Sequence, residues 1–377
     1  MKGLYIHIPF CRQACRYCDF YFTVSLRYMD ELVDCIVTEL ELRKEAGNGM
    51  KLNSFYLGGG TPSLLKPHQL EKIVSAVHRW FSFRNDPEIT MECNPEDLDR
   101  ESLALWHRSG INRLSIGVQS FHENDLKLMR RSHSKQQALQ SISEAAEAGF
   151  ENLSIDLIYG IPNQTLREWE INLETAASLP VNHISAYHLT FEAGTIFEHW
   201  RKKGRISPLS EDDSLQQFWA LSILTRGHGF EHYEVSNLAR AKRYSEHNLL
   251  YWSGEPYLGV GPSAHSYNGE QRSWNVSSLK NYMKSIHTRS TFTESEILTP
   301  MDRYHDMLIT ALRTRWGLDP MRIIKESGER FHLYFNQKAA PFLESGVMRY
   351  AGNNITIHQD HWLISDHIFR ELFMDME

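Results

Sequence analysis

The sequence predicts an α/β fold built around an incomplete parallel (β/α)6 barrel, followed by a smaller C-terminal domain. Two observations support this prediction: short β-rich segments alternate with helical patterns through the first half of the chain, and these segments are almost continuously apolar. Such alternation is typical of a parallel sheet, and apolar strands are expected when helices cover both of its faces. Because only six such units are present, where a complete barrel has eight, the barrel is expected to be incomplete.

Six strands and five helices make up the predicted barrel. The strands are predicted at residues 4–8, 54–57, 88–93, 113–119, 152–159 and 183–189. The helices between them are predicted at residues 29–45, 67–80, 100–108, 135–148 and 166–178. A further helix is predicted at residues 212–226, where the alternation has already faded.

Three domains follow from this reading. They are a partial barrel at residues 1–230, an extension and connecting segment at 231–299, and a C-terminal domain at 300–377. Within the last, helical patterns at 302–314 and 320–326 precede a hairpin at 346–350 and 354–358, and then a short helix. This order resembles a winged-helix-like α+β domain, but a net charge of −7 argues against nucleic acid as its partner.

Composition places the chain among globular proteins without a membrane span. Apolar residues make up 41% and charged residues 23% of its 377 positions, and no apolar run reaches the roughly 20 residues of a membrane helix. Because the chain opens on a strand-like segment and not on a secretory signal, a cytoplasmic location is expected. The five cysteines, an odd number, favour a metal or reactive site over a disulfide framework.

Three of the cysteines form a C-x3-C-x2-C loop: Cys11, Cys15 and Cys18. Three thiolates on one short loop can ligate three irons of a [4Fe–4S] cluster and leave the fourth iron open. The alternatives are a zinc site, for which His7 is the nearest further donor, or three buried thiols. The remaining cysteines, Cys35 and Cys93, are interpreted as small core residues.

Polar residues also mark the ends of the predicted strands. Glu92, Gln119 and Asp156 lie at or near the ends of three strands, and the glycine-rich segment 58–62 follows the second strand. In parallel barrels the carboxyl edge carries the active site, so these residues and the cysteine loop are expected on one edge. The alternative is that the carboxylates and amides bind loop backbone and that the glycines form only a turn.

The cysteine loop and the glycine-rich segment together resemble the signature of the radical S-adenosylmethionine (SAM) superfamily. The resemblance implies a TIM-like partial barrel in which the open iron binds the amino and carboxylate groups of SAM. It also implies that Tyr17 packs near the adenine and that segment 58–62 contacts the methionine part. An external electron donor and reductive cleavage of SAM to a 5′-deoxyadenosyl radical are further implications.

Motifs along the whole chain narrow the resemblance to the coproporphyrinogen III dehydrogenase (HemN) group. They are the segments at residues 5–11, 58–62, 92–95, 117–121 and 156–162. The resemblance implies that Tyr5, Gly59 and Glu92 contact the cluster-bound SAM. It also implies that a second SAM site is lined by Gly60, Thr61, Gln119, Arg131 and Asp156.

Two departures favour the haem-chaperone branch of that group, HemW. Phe20 stands where the dehydrogenases have a fourth cysteine, and residues 247–252 match the H-N-x-x-Y-W run of HemW. The favoured hypothesis is a protein that binds haem and passes it to an acceptor protein, with His247 beside Tyr251 and Trp252 as candidate haem ligand. His265 is a second candidate donor. The alternative for His247 is a hydrogen-bonded surface or core histidine beside packing aromatic residues. The alternative is a radical enzyme that converts coproporphyrinogen III to protoporphyrinogen IX.

Overall fold

The computed structural model describes residues 1–47 and 49–375. Its core is a parallel sheet of six consecutive strands, as the sequence predicts. The strands are β1 (Gly3–Ile8), β2 (Lys51–Gly59), β3 (Ser82–Cys93), β4 (Arg113–Gln119), β5 (Asn152–Tyr159) and β6 (His183–His188). Each pairs in parallel with the next, and their side chains are mostly buried, which explains the continuous apolar runs.

Eight helices connect and flank these strands. They are α1 (Met29–Leu42), α2 (Pro67–Trp80), α3 (Arg100–Arg108), α4 (Glu123–Met129), α5 (Lys135–Glu147), α6 (Leu166–Ser178), α7 (Ile196–Lys202) and α8 (Glu211–Gly227). Helices α2, α3 and α6 have the predicted bounds, whereas α1 ends early because residues 44–47 form a 3-10 turn. The short helices α4 and α7 were not predicted, since seven residues give too little periodicity.

The barrel is open because the sheet has two free edges. Four strands continue it beyond β1: β9 (Tyr257–Val260), β10 (His265–Tyr267), β11 (Gln271–Asn275) and β12 (Thr293–Ile297). Two more continue it beyond β6: β7 (Glu231–Glu234) and β8 (Asn237–Ala239). The resulting order is β12-β11-β10-β9-β1-β2-β3-β4-β5-β6-β8-β7, and this confirms the incomplete barrel.

The predicted extension at residues 231–299 therefore supplies strands to both sides of the sheet. It also contains α9 (Glu246–Ser253) and α10 (Leu279–Thr288). Strand β9 pairs in parallel with β1, so the first strand of the chain lies inside the sheet and not at its edge. Helix α9 packs against β2 within the barrel, where the backbone N–H of His247 donates to Glu88.

The C-terminal region has the predicted winged-helix-like order with one additional helix. Its elements are α11 (Pro300–Leu312), α12 (Pro320–Glu326), α13 (Glu329–Glu344), β13 (Met348–Ala351), β14 (Asn354–Ile357) and α14 (Ser365–Leu372). Helix α13 was not predicted, since Pro341 lies inside it and proline usually ends a helix. Among the described residues no helix is both long and apolar enough to cross a membrane.

Candidate functional site

The cysteine loop leaves the carboxyl end of β1 and is fastened at several points. The backbone N–H of Cys11 donates to Thr23 O at 3.0 Å, and Thr23 N–H donates to Pro9 O at 2.7 Å. Further along, Arg16 N–H donates to Met129 O at 3.2 Å, at the end of α4. These bonds hold Cys11, Cys15 and Cys18, all free and partly buried, on one loop at the carboxyl edge of the sheet.

Two polar side chains approach the thiols. Arg131 Nη1 lies 3.5 Å from Cys15 Sγ, and the Thr61 hydroxyl donates to Cys11 Sγ at 3.6 Å. Burial raises the pKa of Cys18 to about 12 and that of Cys11 above its usual value. Thiols in this environment become thiolates when a cation balances their charge, and the irons of a cluster are cations of that kind. The donor set therefore fits three-thiolate ligation of an iron–sulfur cluster.

The alternative zinc donor, His7, is engaged elsewhere. Its Nε2 donates to Tyr21 O at 3.2 Å, and its Nδ1 lies 3.0 Å from the Tyr5 hydroxyl, which donates to it. The Tyr5 ring is thereby held beneath segment 58–62, close to Gly58. Tyr5 supports the site from below.

Segment 58–62 is glycine-rich because the chain passes close to itself. Gly59 has φ +113°, and a Cβ there would lie 2.5 Å from the His7 ring. A Cβ on Gly60 would lie 2.7 Å from Phe10 O, just before the first cysteine. Both contacts are far inside van der Waals distance, so these two glycines let β2 approach the cysteine loop.

Glu92 ends β3 and is bound from two sides. Its Oε2 accepts from Gly59 N–H at 2.9 Å, and its Oε1 accepts from the Tyr56 hydroxyl at 2.9 Å. Burial, followed by repulsion from Asp156, raises the pKa of Glu92 to about 7. Burial also raises the pKa of Asp156, which accepts from Ser115 Oγ at 3.2 Å. Two carboxyl groups with raised pKa values can receive a cationic or proton-donating group of a ligand.

Gln119 and Arg131 complete this edge of the sheet. Gln119 has φ +66° at an irregularity between β4 and β5, which turns its side chain toward Gly117. Arg131 donates through Nη2 to Gly117 O at 2.8 Å and to Asn94 Oδ1 at 2.5 Å. Its guanidinium thus connects two strand ends to the cysteine loop.

A cavity of about 420 Å³ opens among these residues. Most of the predicted site residues line it: Cys11, Cys15, Tyr17, Cys18, Gly59, Gly60, Thr61, Glu92, Gln119, Arg131 and Asp156. The structure therefore brings together all the predicted site residues except Tyr5, which lies underneath, and His247. Sequence reasoning missed Asn94, Tyr187 and His188, which also line it. Tyr187 and His188 end β6, so the strand-end rule that found Glu92 could have found them.

His247 lies inside the barrel and away from this cavity. It is 1% exposed, and its Nδ1 and Nε2 are hydrogen-bonded to Ser54 Oγ at 2.8 Å and the Tyr251 hydroxyl at 2.9 Å. Its ring stacks on Tyr56, with centroids 4.9 Å apart, and burial lowers its pKa to about 3. As a haem ligand His247 stays a prediction, one that requires this packing to open. The other candidate, His265, is exposed on β10 beside Trp274.

A second cavity, of about 1130 Å³, opens at the amino ends of the strands and beneath the C-terminal region. We call it the lower cavity. Trp252, Trp316 and Tyr244 line it, and the basic residues Lys242 and Arg322 lie on its wall. The indole Nε1 of Trp252 is buried and has no acceptor among residues 1–47 and 49–375. The wall also carries five carboxylate side chains, so groups of both charge signs surround the aromatic ones: Asp86, Glu88, Glu151, Glu246 and Glu255.

Comparison with known proteins places these features in a family. The model of the radical SAM superfamily matches residues 5–176. The chain is similar to the heme chaperone HemW of Bacillus subtilis, with 33% identity over 98% of both chains, and to that of Lactococcus lactis, with 29% identity over 99% of this chain and 98% of the other. Its structure resembles Escherichia coli coproporphyrinogen III oxidase (HemN), with a TM-score of 0.84 and 24% identity over 98% of this chain and 89% of the other. The resemblance to the HemN structure supports the fold assigned to this chain.

Proposed function

The chain belongs to the family of the haem chaperone HemW, within the radical SAM superfamily, and from this membership we propose that it binds haem and passes it to acceptor proteins. The observation that carries the proposal is similarity to HemW over nearly the full length of both chains. Membership of the superfamily implies a [4Fe–4S] cluster and SAM. The proposal therefore requires two sites: one for the cluster and SAM at the carboxyl edge of the sheet, and one for haem elsewhere in the protein.

We assign the cluster to Cys11, Cys15 and Cys18. A [4Fe–4S] cluster bound there supplies one electron for the reductive cleavage of SAM. Around it, Arg131 and Thr61 direct N–H and O–H groups at two of the sulfurs. Hydrogen bonds to ligating sulfurs stabilise their negative charge, so these two residues favour the thiolate state.

We assign the SAM contacts to the walls of the cavity of about 420 Å³ beside the cysteine loop, which we call the upper cavity. Glu92 is held by Gly59 N–H and Tyr56 with an oxygen facing the cavity, and it can accept from the amino group of SAM. Tyr17, from the cysteine loop itself, supplies a flat surface for the adenine. Tyr5 positions His7 and Gly58 and is assigned a supporting role.

One observation favours the alternative, a coproporphyrinogen III dehydrogenase. Gln119, Arg131 and Asp156, implied for a second SAM site, all line the upper cavity. Against it stands Phe20, whose side chain occupies the fourth-cysteine position and is 69% exposed. Anaerobic incubation with coproporphyrinogen III, SAM and a reductant separates the two. The chaperone proposal predicts no protoporphyrinogen IX, and its formation at turnover rates would favour the dehydrogenase.

We place the haem in the lower cavity. Trp252 and Trp316 offer aromatic faces from two different parts of the chain. Lys242 can pair with one propionate, and Arg322 can pair with the other if it leaves Glu326, which it now contacts at 2.6 Å. His247 lies behind this wall through its contact with Tyr251, the neighbour of Trp252. His107, exposed at the end of α3, also lines the cavity and is a further candidate for the axial position.

Haem titration of the anaerobically reconstituted protein, with and without SAM, tests the proposal. The wild type should develop a Soret band that saturates. Replacing Trp252 or Trp316 with Ala should weaken haem binding about tenfold or more, since each removes an aromatic contact worth on the order of 1 kcal/mol beyond its buried area.

The matched control is Trp219→Ala on α8, whose side chain is 42% exposed and outside the cavity. It should bind haem like the wild type. Absence of a Soret band in the wild type would contradict the haem proposal. Equal affinity of all three variants would contradict only the placement in the lower cavity.

A further inference from the structure

Exposed basic side chains border the outer face of the cysteine loop, although the protein carries a net charge of −7. They come from three segments: the loop itself, the end of α4 and the end of α7. We call this surface the basic rim, and it consists of the half-buried Arg16 and six exposed residues: Lys127, Arg130, Arg201, Lys202, Lys203 and Arg205. A cluster of one sign on a protein of the opposite net sign indicates a specific use.

The three segments are held together by a small hydrophobic core beneath them. Met129 and Phe197 are buried in it, and Tyr17 and Trp200 pack against it. Phe197 N–H donates to Arg16 O at 3.0 Å, and the Arg16 guanidinium lies 4.7 Å from the centre of the Trp200 ring. The three segments that carry the basic side chains are therefore held in fixed positions relative to the cysteine loop.

Most of the positive charge on this surface is not balanced locally. Glu198 pairs with Arg201 and Lys202 at 2.6 and 3.1 Å. Lys127, Arg130, Lys203 and Arg205 are exposed, and none of them forms an ion pair with a carboxylate in the described part of the chain. These four cations are free to interact with an acidic partner.

We propose that the basic rim is the docking surface of an acidic one-electron donor protein. The inference rests on the proposed cluster, which needs an electron from outside the chain. Arg16 lies between Cys15 and Cys18, and the loop is only partly buried, so a protein seated on the rim comes next to the cluster ligands. In the transfer the reduced centre of the donor loses one electron; for a flavodoxin this oxidises the anionic flavin hydroquinone to the neutral semiquinone, and no proton is released. The electron reduces the [4Fe–4S]²⁺ cluster to the 1+ state.

An anionic lipid surface could also meet a basic patch, but the position of the rim favours a redox partner. The rim is centred on the loop that holds the cluster, where a lipid would add nothing to electron transfer. The donor is therefore identified by its chemistry: a small protein with an acidic surface around a low-potential one-electron centre.

The test compares cluster reduction by two reductants. The probe is a flavodoxin of acidic isoelectric point in its hydroquinone state, and the reference is a photoreduced deazaflavin, which needs no docking. The variant Lys127→Glu/Lys203→Glu/Arg205→Glu should be reduced by flavodoxin at least tenfold more slowly at low salt, since steering changes association rates by about 10–10³-fold. Its reduction by deazaflavin should equal that of the wild type.

The matched control reverses three exposed cations elsewhere, in Lys51→Glu/Lys325→Glu/Arg349→Glu. It should be reduced by flavodoxin at the wild-type rate. The proposal would be overturned if flavodoxin reduced the cluster of the rim variant at the wild-type rate. It would also be overturned if the rim variant lost binding to vesicles of anionic phospholipid while that rate of reduction stayed unchanged. Haem titration of the same samples keeps the two proposals separate, because haem binding does not require the rim.

Discussion

Replacing Gly60 with Ala tests the close approach between β2 and the cysteine loop. The new Cβ would lie 2.7 Å from Phe10 O, 2.8 Å from Phe10 N and 2.9 Å from Ile8 O. All three are backbone atoms, so no side chain can rotate away. Ordinary contact begins at 3.4 Å, and the segment before Cys11 must therefore move by roughly 0.7 Å. Overpacking of this kind costs about 1–3 kcal/mol of unfolding free energy.

We expect the Gly60→Ala variant to lose both stability and bound iron. The free energy of unfolding, measured by urea denaturation, should fall by about 1–3 kcal/mol. Iron content after anaerobic reconstitution should fall at the same time, since the displaced segment carries the first cluster ligand. The control is Gly227→Ala at the end of α8, where a Cβ meets nothing within 4 Å. The free energy of unfolding of this control variant should equal that of the wild type or exceed it by up to about 1 kcal/mol. A Gly60→Ala protein with wild-type stability and iron content would refute the reasoning.

Three further predictions concern single side chains. Cys15→Ala should abolish the broad iron–sulfur absorption. The control Cys35→Ala, on a buried face of α1, should keep that absorption. An unchanged spectrum of Cys15→Ala would refute the ligand assignment. The raised pKa of Glu92 is about 7, so the ionised fraction of its carboxyl group should rise about tenfold between pH 6 and pH 8. The affinity for SAM, measured by equilibrium dialysis, should rise by the same factor. Glu92→Gln should remove that rise. Arg113→Met should lower the free energy of unfolding by about 3–5 kcal/mol at neutral pH, because it leaves the buried Glu88, 3.7 Å away, unpaired. The double variant with Glu88→Gln should regain part of that loss, and a double variant as unstable as Arg113→Met would contradict the pairing.

Many residues of the upper cavity could be predicted from the sequence, because the direction of the parallel strands determines which residues lie at the carboxyl edge of the sheet. Glu92 and Gln119 lie at the ends of parallel strands and Asp156 lies in the carboxyl-terminal half of another, and these parts of the strands meet at one edge whatever the details of packing. Arg131 could not be found this way, since it follows a short helix. It came only from the resemblance, and the structure places its guanidinium at Cys15.

The lower cavity could not be predicted, because it forms between segments far apart in sequence. Trp252 and Trp316 line the same cavity only when the C-terminal region packs beneath the barrel. The spacing of residues 247–252 indicated that His247 and Trp252 share a site. In the structure the helix turns Trp252 toward the cavity and His247 into the barrel interior, where Ser54 and Tyr251 bind it.

The position of β1 between β2 and β9 has a consequence for synthesis of the protein on the ribosome. The cluster cysteines emerge first, but the strand that carries their loop gains its second neighbour only when Val260 has been made. At about 5–20 residues per second, roughly 10–50 s separate the two events. During that time three thiols stand on an unfinished sheet and are open to oxidation. Cluster assembly is thus expected only after residue 260 has been made, and nascent chains shorter than this should depend on cellular reductants more than the folded protein does.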